Sequence, residues 1–249
     1  MTGQLAGRVA LVTGASRGLG AAIARGYARE GAQVVAAART EADLAEVVAS
    51  DPERISALRL DVSDPEAAAA AVDEVVARHG RLDILVNNAG IAPAGEFLTQ
   101  DPAVWRRTLE VDVLAPMVLA QAAGRHMVPR RSGKIINVAS TTGLRGKPLL
   151  VGYSAAKGAL VRMTEALAAE WAEHGIQVNA IAPGAFRTAA QQAVIDSPQL
   201  LERRVRRIPA RRMGDPEEIV PLAVLLASAG SDFITGSVFV IDGGEVGKL

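Results

Sequence analysis

The 249-residue chain has no cysteine, so disulfides and thiol chemistry are both excluded and the redox compartment is left open. It has no excess of charge: 27 basic and 27 acidic residues give a formal net charge of +0. That balance argues against nucleic acid or a membrane surface as the main partner. No run approaches the ~18 apolar residues of a spanning helix. The opening MTGQLAGR lacks the basic-then-apolar layout of a signal peptide, which makes the cytoplasm the expected location. Histidines number 3, and His79, His126 and His174 lie far apart. His79 and His174 each precede a glycine and read as residues near helix C-termini, where positive charge is favoured. No metal site is therefore expected. Linkers, repeats and breaks in composition are also missing, so residues 1–249 read as a single domain.

What the chain does have is a rhythm. Short apolar runs fall at 8–12, 33–38, 55–60, 82–86, 134–139, 176–181 and 237–242, separated by longer helical patterns. Most are continuous rather than alternating in polarity, as strands buried on both faces of a parallel sheet should be. Ser63-Asp-Pro-Glu66 reads as a capping box with proline in the first turn, and Asp215-Pro-Glu-Glu218 as a similar acidic start. Gly31, Gly80 and Gly175 each close a helix just before a strand. Repeated β-α-β units predict an α/β, Rossmann-type doubly wound domain with a central parallel sheet of about seven strands.

The stretch TGASRGLG at 13–20 admits two readings. Gly14-Ala-Ser16-Arg-Gly18 matches the G-x-S-x-G elbow that exposes a nucleophilic serine. An α/β-hydrolase takes one oxyanion donor from a loop on an earlier strand, and here no earlier strand precedes Thr13. The alternative uses Gly14, Gly18 and Gly20 as a turn between strand and helix, where unpaired N–H groups face a phosphate. This second reading agrees with motifs further along. Asn87-Asn-Ala-Gly90 closes the fourth strand and Ser140 the fifth. Tyr153-Ser-Ala-Ala-Lys157 opens a helix, Asn179-Ala-Ile-Ala-Pro-Gly184 closes the sixth strand, and Asp242-Gly-Gly244 follows the seventh.

In that order, and over essentially the whole chain, these motifs resemble the short-chain dehydrogenase/reductase family in its compact form. The resemblance implies an NADP(H)-dependent oxidoreductase that interconverts a ketone and a secondary alcohol. Tyr153 would pass the proton, Ser140 orient and polarise the substrate oxygen, and Lys157 bind the nicotinamide ribose. Tyr153 and Lys157 are four apart and share a helix face. An ammonium ~4 Å from the phenol would favour the phenolate by ~4 kcal/mol at an effective dielectric near ~20. Thr141 or Thr142 could stand in for the serine hydroxyl, but Ser140 has the family spacing. One position departs from the pattern. Val111-Asp112-Val113 stands where the family has an asparagine in the proton relay. Asp112 can accept a hydrogen bond but cannot donate as an amide does, so it is either a relay residue or a structural acceptor in a bent helix.

The resemblance also implies the cofactor seat. Gly14, Ser16, Arg17, Gly18, Leu19 and Gly20 would wrap the pyrophosphate. Asn88, Ala89 and Gly90 would line the adenine-ribose side, with Asp61 and Val62 flanking the adenine. Pro183, Gly184 and Thr188 would contact the nicotinamide carboxamide. At the end of the second strand stands Ala38 rather than an acid, followed by Arg39, so Arg17 and Arg39 would grip a 2′-phosphate and favour NADP(H) over NAD(H). Family members are commonly homotetramers, and Ala155, Ala156, Gly158 and Ala159 keep the catalytic helix narrow for close packing.

The segment at about 185–214 would form a lid over the substrate. Within it, RRVRRIPARR at 203–212 carries six arginines and no acid. This run is either a solvated face or subunit contact, or it turns one or two arginines inward to hold a substrate carboxylate. The inward reading would suit a keto-sugar acid, to which local wording such as HMVPRRSGKIINVAS also points. A 3-oxoacyl-carrier-protein substrate is the alternative. A cofactor-binding scaffold without catalysis is the rival from a different class.

Overall fold

A computed structural model describes residues 3–247. Seven parallel strands form one sheet: β1 (Val9–Thr13), β2 (Gln33–Ala38), β3 (Ile55–Arg59), β4 (Ile84–Asn87), β5 (Gly133–Val138), β6 (Ile176–Pro183) and β7 (Val238–Ile241). Their order is β3-β2-β1-β4-β5-β6-β7. Each expected strand is present, displaced by no more than two residues at either end. The helices between them are α1 (Gly18–Arg29), α2 (Ala45–Ala49), α3 (Pro65–His79), α4 (Pro102–Leu109), α5 (Ala115–Arg130), α6 (Val151–Trp171), α7 (Gln192–Ile195), α8 (Pro198–Arg206) and α9 (Val220–Ala227).

The strands are apolar throughout because both faces are covered. Val9–Thr13, for example, is buried at every residue. Two large apolar clusters result. One contains Val12, Ile23, Val34, Val86 and Leu226, and the other Leu11, Val35, Val72, Leu85 and Leu119. Alternate residues of a strand go to different clusters, as Val34 and Val35 do, because successive side chains point to opposite faces. Strand order reverses between β1 and β4, and at such a switch point the chain leaves in opposite directions and opens a crevice at the strands' carboxyl ends.

Helix ends follow the residues that make them. Gly80 closes α3 in the left-handed conformation at φ 76°, and Gly175 ends the turn after α6 at φ 70°. The Asp215–Glu218 capping box is present, on a short 3-10 turn leading into α9. The box expected at Ser63 is not. Asp64 is the N-cap of α3, accepting from the N–H groups of Glu66 and Ala67, while the Ser63 hydroxyl donates to Asp61. With its hydroxyl engaged by Asp61, Ser63 leaves the cap to the carboxylate one residue on.

At the opposite end of the sheet from the crevice, Asp83 is fully buried and joins three elements. Its carboxylate accepts from the Val9 N–H at 2.9 Å, from Arg81 Nε at 2.9 Å and from an Arg130 guanidinium nitrogen at 2.6 Å. Burial alone would raise this carboxyl; the hydrogen bonds from Arg81, Val9 and Arg130 outweigh it and hold it below the ordinary carboxylate range. A depressed native value means the carboxylate stabilises the fold above its unfolded-state titration near ~4, and that this contribution is lost as pH falls through the native value. Asp83→Asn is therefore expected to destabilise by about 2–3 kcal/mol near neutrality. The gap from wild type should narrow progressively in acid. Denaturant unfolding across that range measures it, and a gap that stays constant would show that the charge is not what holds this junction.

Candidate active site

The crevice at the carboxyl ends of β1 and β4 holds two confluent cavities of about 280 and 480 Å³. Arg17, Asn88, Gly90 and Ile91 belong to the walls of both. The smaller is bounded by Ser140, Tyr153 and Lys157 on one side and by Pro183, Gly184 and Thr188 on the other. The larger runs outward past Gly14 and Ser16 to Arg39, Asp61 and Val62.

The loop between β1 and α1 needs its glycines. Gly14 and Gly18 have φ of 62° and 58°, in the left-handed region that side chains disfavour. Gly18 and Leu19 line the smaller cavity. Gly20 lines neither cavity. A Cβ there would lie 2.4 Å from the Asn88 Nδ2 and the Gly14 carbonyl oxygen, so its glycine serves packing. The Asn88 amide donates to the carbonyls of Thr13 and Gly14, at 2.9 and 3.1 Å, and pins the loop to β4. Thr13 completes this latch. Its hydroxyl donates to the Val86 carbonyl and accepts from the N–H groups of Asn88 and Ala89. The latch was not read from the sequence, although Thr13 and Asn88 close neighbouring strands of the expected sheet.

No side chain caps α1, whose N-cap is Arg17, and its first turn holds no acidic residue. The helix therefore offers its N-terminal N–H groups and positive end to the crevice. Together with the left-handed glycines and the guanidiniums of Arg17 and Arg39, this donor set fits a dinucleotide that carries an extra phosphate. Asp43 shares the wall with Arg39 and Thr40, so a carboxylate that the sequence reading did not place there stands beside the two guanidiniums. Arg107 of α4 also lines the larger cavity, with a nitrogen 3.6 Å from Asp61 Oδ2. Hydrogen bonds from the Ser63 hydroxyl and N–H, with Arg107 and Arg39 nearby, hold the Asp61 carboxyl below its usual range.

Ser140 follows β5 and is buried. Its Oγ accepts from the Thr142 N–H at 3.1 Å and from the Thr142 hydroxyl at 3.0 Å. With both acceptor positions used, its own O–H is left to donate into the cavity. Thr142 thus supports the serine rather than replacing it. Tyr153 and Lys157 both lie in α6, and the ammonium sits 5.7 Å from the phenol ring centroid. Lys157 is buried, and its Nζ donates to the Val138 carbonyl at 3.0 Å. Below it, Asn87 donates to Asn137 and Asn137 to Thr164, joining β4, β5 and α6 through buried amides.

Asp112 lines neither cavity. It lies behind Lys157, fully buried in a π-helical turn, Glu110–Leu114, between α4 and α5. Oδ1 accepts from the Ile91 N–H at 2.8 Å, and Oδ2 is 3.4 Å from Lys157 Nζ. Burial pushes its carboxyl up, and Lys157 pulls it back only in part.

The arginine run is resolved in favour of the surface. Arg204 pairs with Glu245, Arg206 with Glu202 and Arg212 with Glu218. None of the arginines at 203–212 lines the cavity that holds Ser140 and Tyr153. Glu202 and Glu218 flank the run closely, whereas Glu245 is 41 residues from Arg204 and is brought to it only by the fold. Among the described residues no cluster of three or more potential metal ligands occurs, and no helix is long and apolar enough to cross a membrane.

A family model described as enoyl-(acyl carrier protein) reductase matches residues 14–245. The chain is 38% identical over 247 residues to gluconate 5-dehydrogenase of Gluconobacter oxydans, covering 97% of this chain and 95% of that one. It is 35% identical over 245 residues to 5-keto-D-gluconate 5-reductase of Escherichia coli K12, covering 97% and 96%. Among solved structures, a gluconate 5-dehydrogenase from Burkholderia cenocepacia in complex with NADP and tartrate superposes with a TM-score of 0.94 at 38% identity, covering 99% of this chain and 98% of that one.

Proposed function

The chain belongs to the short-chain dehydrogenase/reductase family, and from that premise we propose that it interconverts the ketone and secondary alcohol of a sugar acid of the 5-ketogluconate type. It is an oxidoreductase of CH–OH and C=O groups that uses NADP(H). The hydride that reduces the carbonyl carbon comes from the reduced nicotinamide. Tyr153 donates the proton to the carbonyl oxygen in reduction and takes it back in oxidation. The free O–H of Ser140 polarises the same oxygen, and Lys157 holds the ribose and favours the phenolate. Gly14, Ser16, Arg17, Gly18 and Leu19 seat the pyrophosphate and neighbouring phosphate; Asn88, Ala89, Gly90, Asp61 and Val62 enclose the adenosine side. Pro183, Gly184 and Thr188 hold the carboxamide, under a lid formed by residues at about 185–214.

The observation that carries this reading is the meeting of Ser140, Tyr153 and Lys157 on one cavity wall, in a chain similar over nearly its full length to a gluconate 5-dehydrogenase and a 5-keto-D-gluconate 5-reductase. A carrier-protein thioester is the weaker alternative, because the relatives named here act on sugar acids. The test is NADPH consumption against a panel: 5-ketogluconate, neutral ketones of similar size and a 3-oxoacyl-carrier protein. A site built to bind the sugar hydroxyls should prefer 5-ketogluconate in kcat/KM by ~10²-fold or more over a ketone lacking them. Fastest turnover on the thioester would transfer the assignment to fatty-acid chemistry.

Assembly and location complete the proposal. Leu114 at the end of the π turn and Met117 in α5 are exposed. Ala155 and Ala159 are exposed on α6. This apolar, small-residue face suits packing of the catalytic helices in a homotetramer, which the mass in solution by light scattering checks. The expected location is the cytoplasm, where NADPH is available.

A further inference from the structure

The single departure from the family's catalytic set is also its most buried charge. Asp112 and Lys157 are 0% and 3% exposed, and of the two only the lysine lines the cavity. One carboxylate oxygen is satisfied by the Ile91 N–H; the other has no hydrogen-bond partner and faces Lys157 Nζ at 3.4 Å. A buried carboxylate oxygen without a donor is unfavourable unless a cation offsets it. The turn that carries it is π-helical, a local widening common at functional sites. An asparagine here would make the Ile91 contact equally well, so that contact does not account for the charge.

We propose that Asp112 is the counter-charge of Lys157 and, acting through it, sets the pH at which Tyr153 releases its proton. It is a positioning residue rather than a catalytic one, and the proposal rests on the reading of Tyr153 as the proton donor. The physical argument is Coulombic. Lys157 favours the phenolate, and a carboxylate beside it offsets part of that field. The ammonium lies 5.7 Å from the phenol ring centroid and 3.4 Å from Oδ2, so the carboxylate is no more than about 9 Å from the ring. At an effective dielectric near ~20, that repulsion corresponds to about one pH unit in the tyrosine's titration. Burial pushes the Asp112 carboxyl up, and the Lys157 ammonium 3.4 Å away opposes that push.

The surroundings contribute little competing charge. From β5 the pair meets the Val138 carbonyl, from the loop after β4 the backbone of Gly90 and Ile91, and from α6 the Tyr153 ring. The charged neighbours in and before the π turn, Glu110 and Arg107, pair with each other.

The composition allows a direct measurement. The chain has 2 tyrosines. Tyr27 is fully buried, donates to the Ala223 carbonyl and has its phenol pushed far above the ordinary range by burial. Tyrosinate ultraviolet absorbance of the cofactor-free protein, followed up to a pH of ~11, therefore reads Tyr153 alone. Asp112→Asn keeps an acceptor for the Ile91 N–H and removes the charge. Its titration midpoint is expected about one pH unit below that of the wild type, and the pH profile of kcat for alcohol oxidation should move by the same amount. Asp112→Ser, smaller and equally uncharged, provides the second variant should Asn impair folding, and it must move in the same direction. An unchanged midpoint in a folded variant overturns the proposal. A displaced midpoint in a protein that reduces no ketone would keep the charge pair and remove the reductase reading instead.

Discussion

Tyr153→Phe is expected to bind NADPH as the wild type does and to lose about 10³-fold of its turnover. The size follows from what general acid–base catalysis contributes, ~10² to 10⁴, when a positioned proton donor is deleted. The specificity follows from the structure. The Tyr153 hydroxyl makes no hydrogen bond to another described residue, so its removal leaves no buried partner unsatisfied. The ring remains against α6 and the Lys157 ammonium, and Lys157 keeps its contact with Val138. Loss should therefore fall on kcat and spare the fold and the cofactor Kd. NADPH fluorescence titration and single-turnover reduction of 5-ketogluconate separate the two quantities. Retention of more than about a tenth of the wild-type rate would mean that another group delivers the proton, because no general acid of ordinary strength contributes so little.

The balance between what sequence and structure each supply can be read from particular residues. Strands were legible because a parallel sheet covered on both faces leaves continuous apolar runs, and Gly80 and Gly175 stop helices through a conformation that few other residues adopt. Register within a cap was less legible. Ser63 and Asp64 are both good N-caps, and only the hydrogen bond from Ser63 to Asp61 decides between them. The glycine loop was visible, but the latch of Thr13 and Asn88 that holds it is not, since it joins residues 75 apart. The arginine run left two readings open for a similar reason. Charge density along a sequence says nothing of partners such as Glu245, 41 residues from Arg204. Asp112 was conspicuous as a departure from a motif. That it faces Lys157 and not the cavity follows from the π turn, and no local pattern of apolar spacing encodes such a turn.

Cofactor choice should be the easiest property of this site to reverse. At the end of β2, Ala38 would leave room beside the ribose of a bound cofactor, and Arg17 and Arg39 bring two guanidiniums to the same wall, partly offset by Asp43. A 2′-phosphate would take charge-assisted hydrogen bonds from both arginines, each contributing about 1.5–3 kcal/mol. The double variant Ala38→Asp with Arg39→Leu removes one such contact and places a carboxylate where it accepts from a free 2′-hydroxyl and repels a phosphate. Losing the arginine contact is worth about 2 kcal/mol, and the new repulsion together with the new hydrogen bond a similar amount. Each step corresponds to roughly thirtyfold, so the ratio of kcat/KM for NADPH over NADH is expected to fall by ~10³-fold. The Michaelis constant for the ketone should change little, because Ala38 and Arg39 line the larger cavity and not the one that holds Ser140 and Tyr153. Steady-state kinetics with both cofactors at a fixed ketone concentration provides the measurement. A ratio that stays within a few-fold of wild type would move recognition of the 2′-phosphate away from β2, leaving Arg17 and Arg107 as the guanidiniums on that cavity wall.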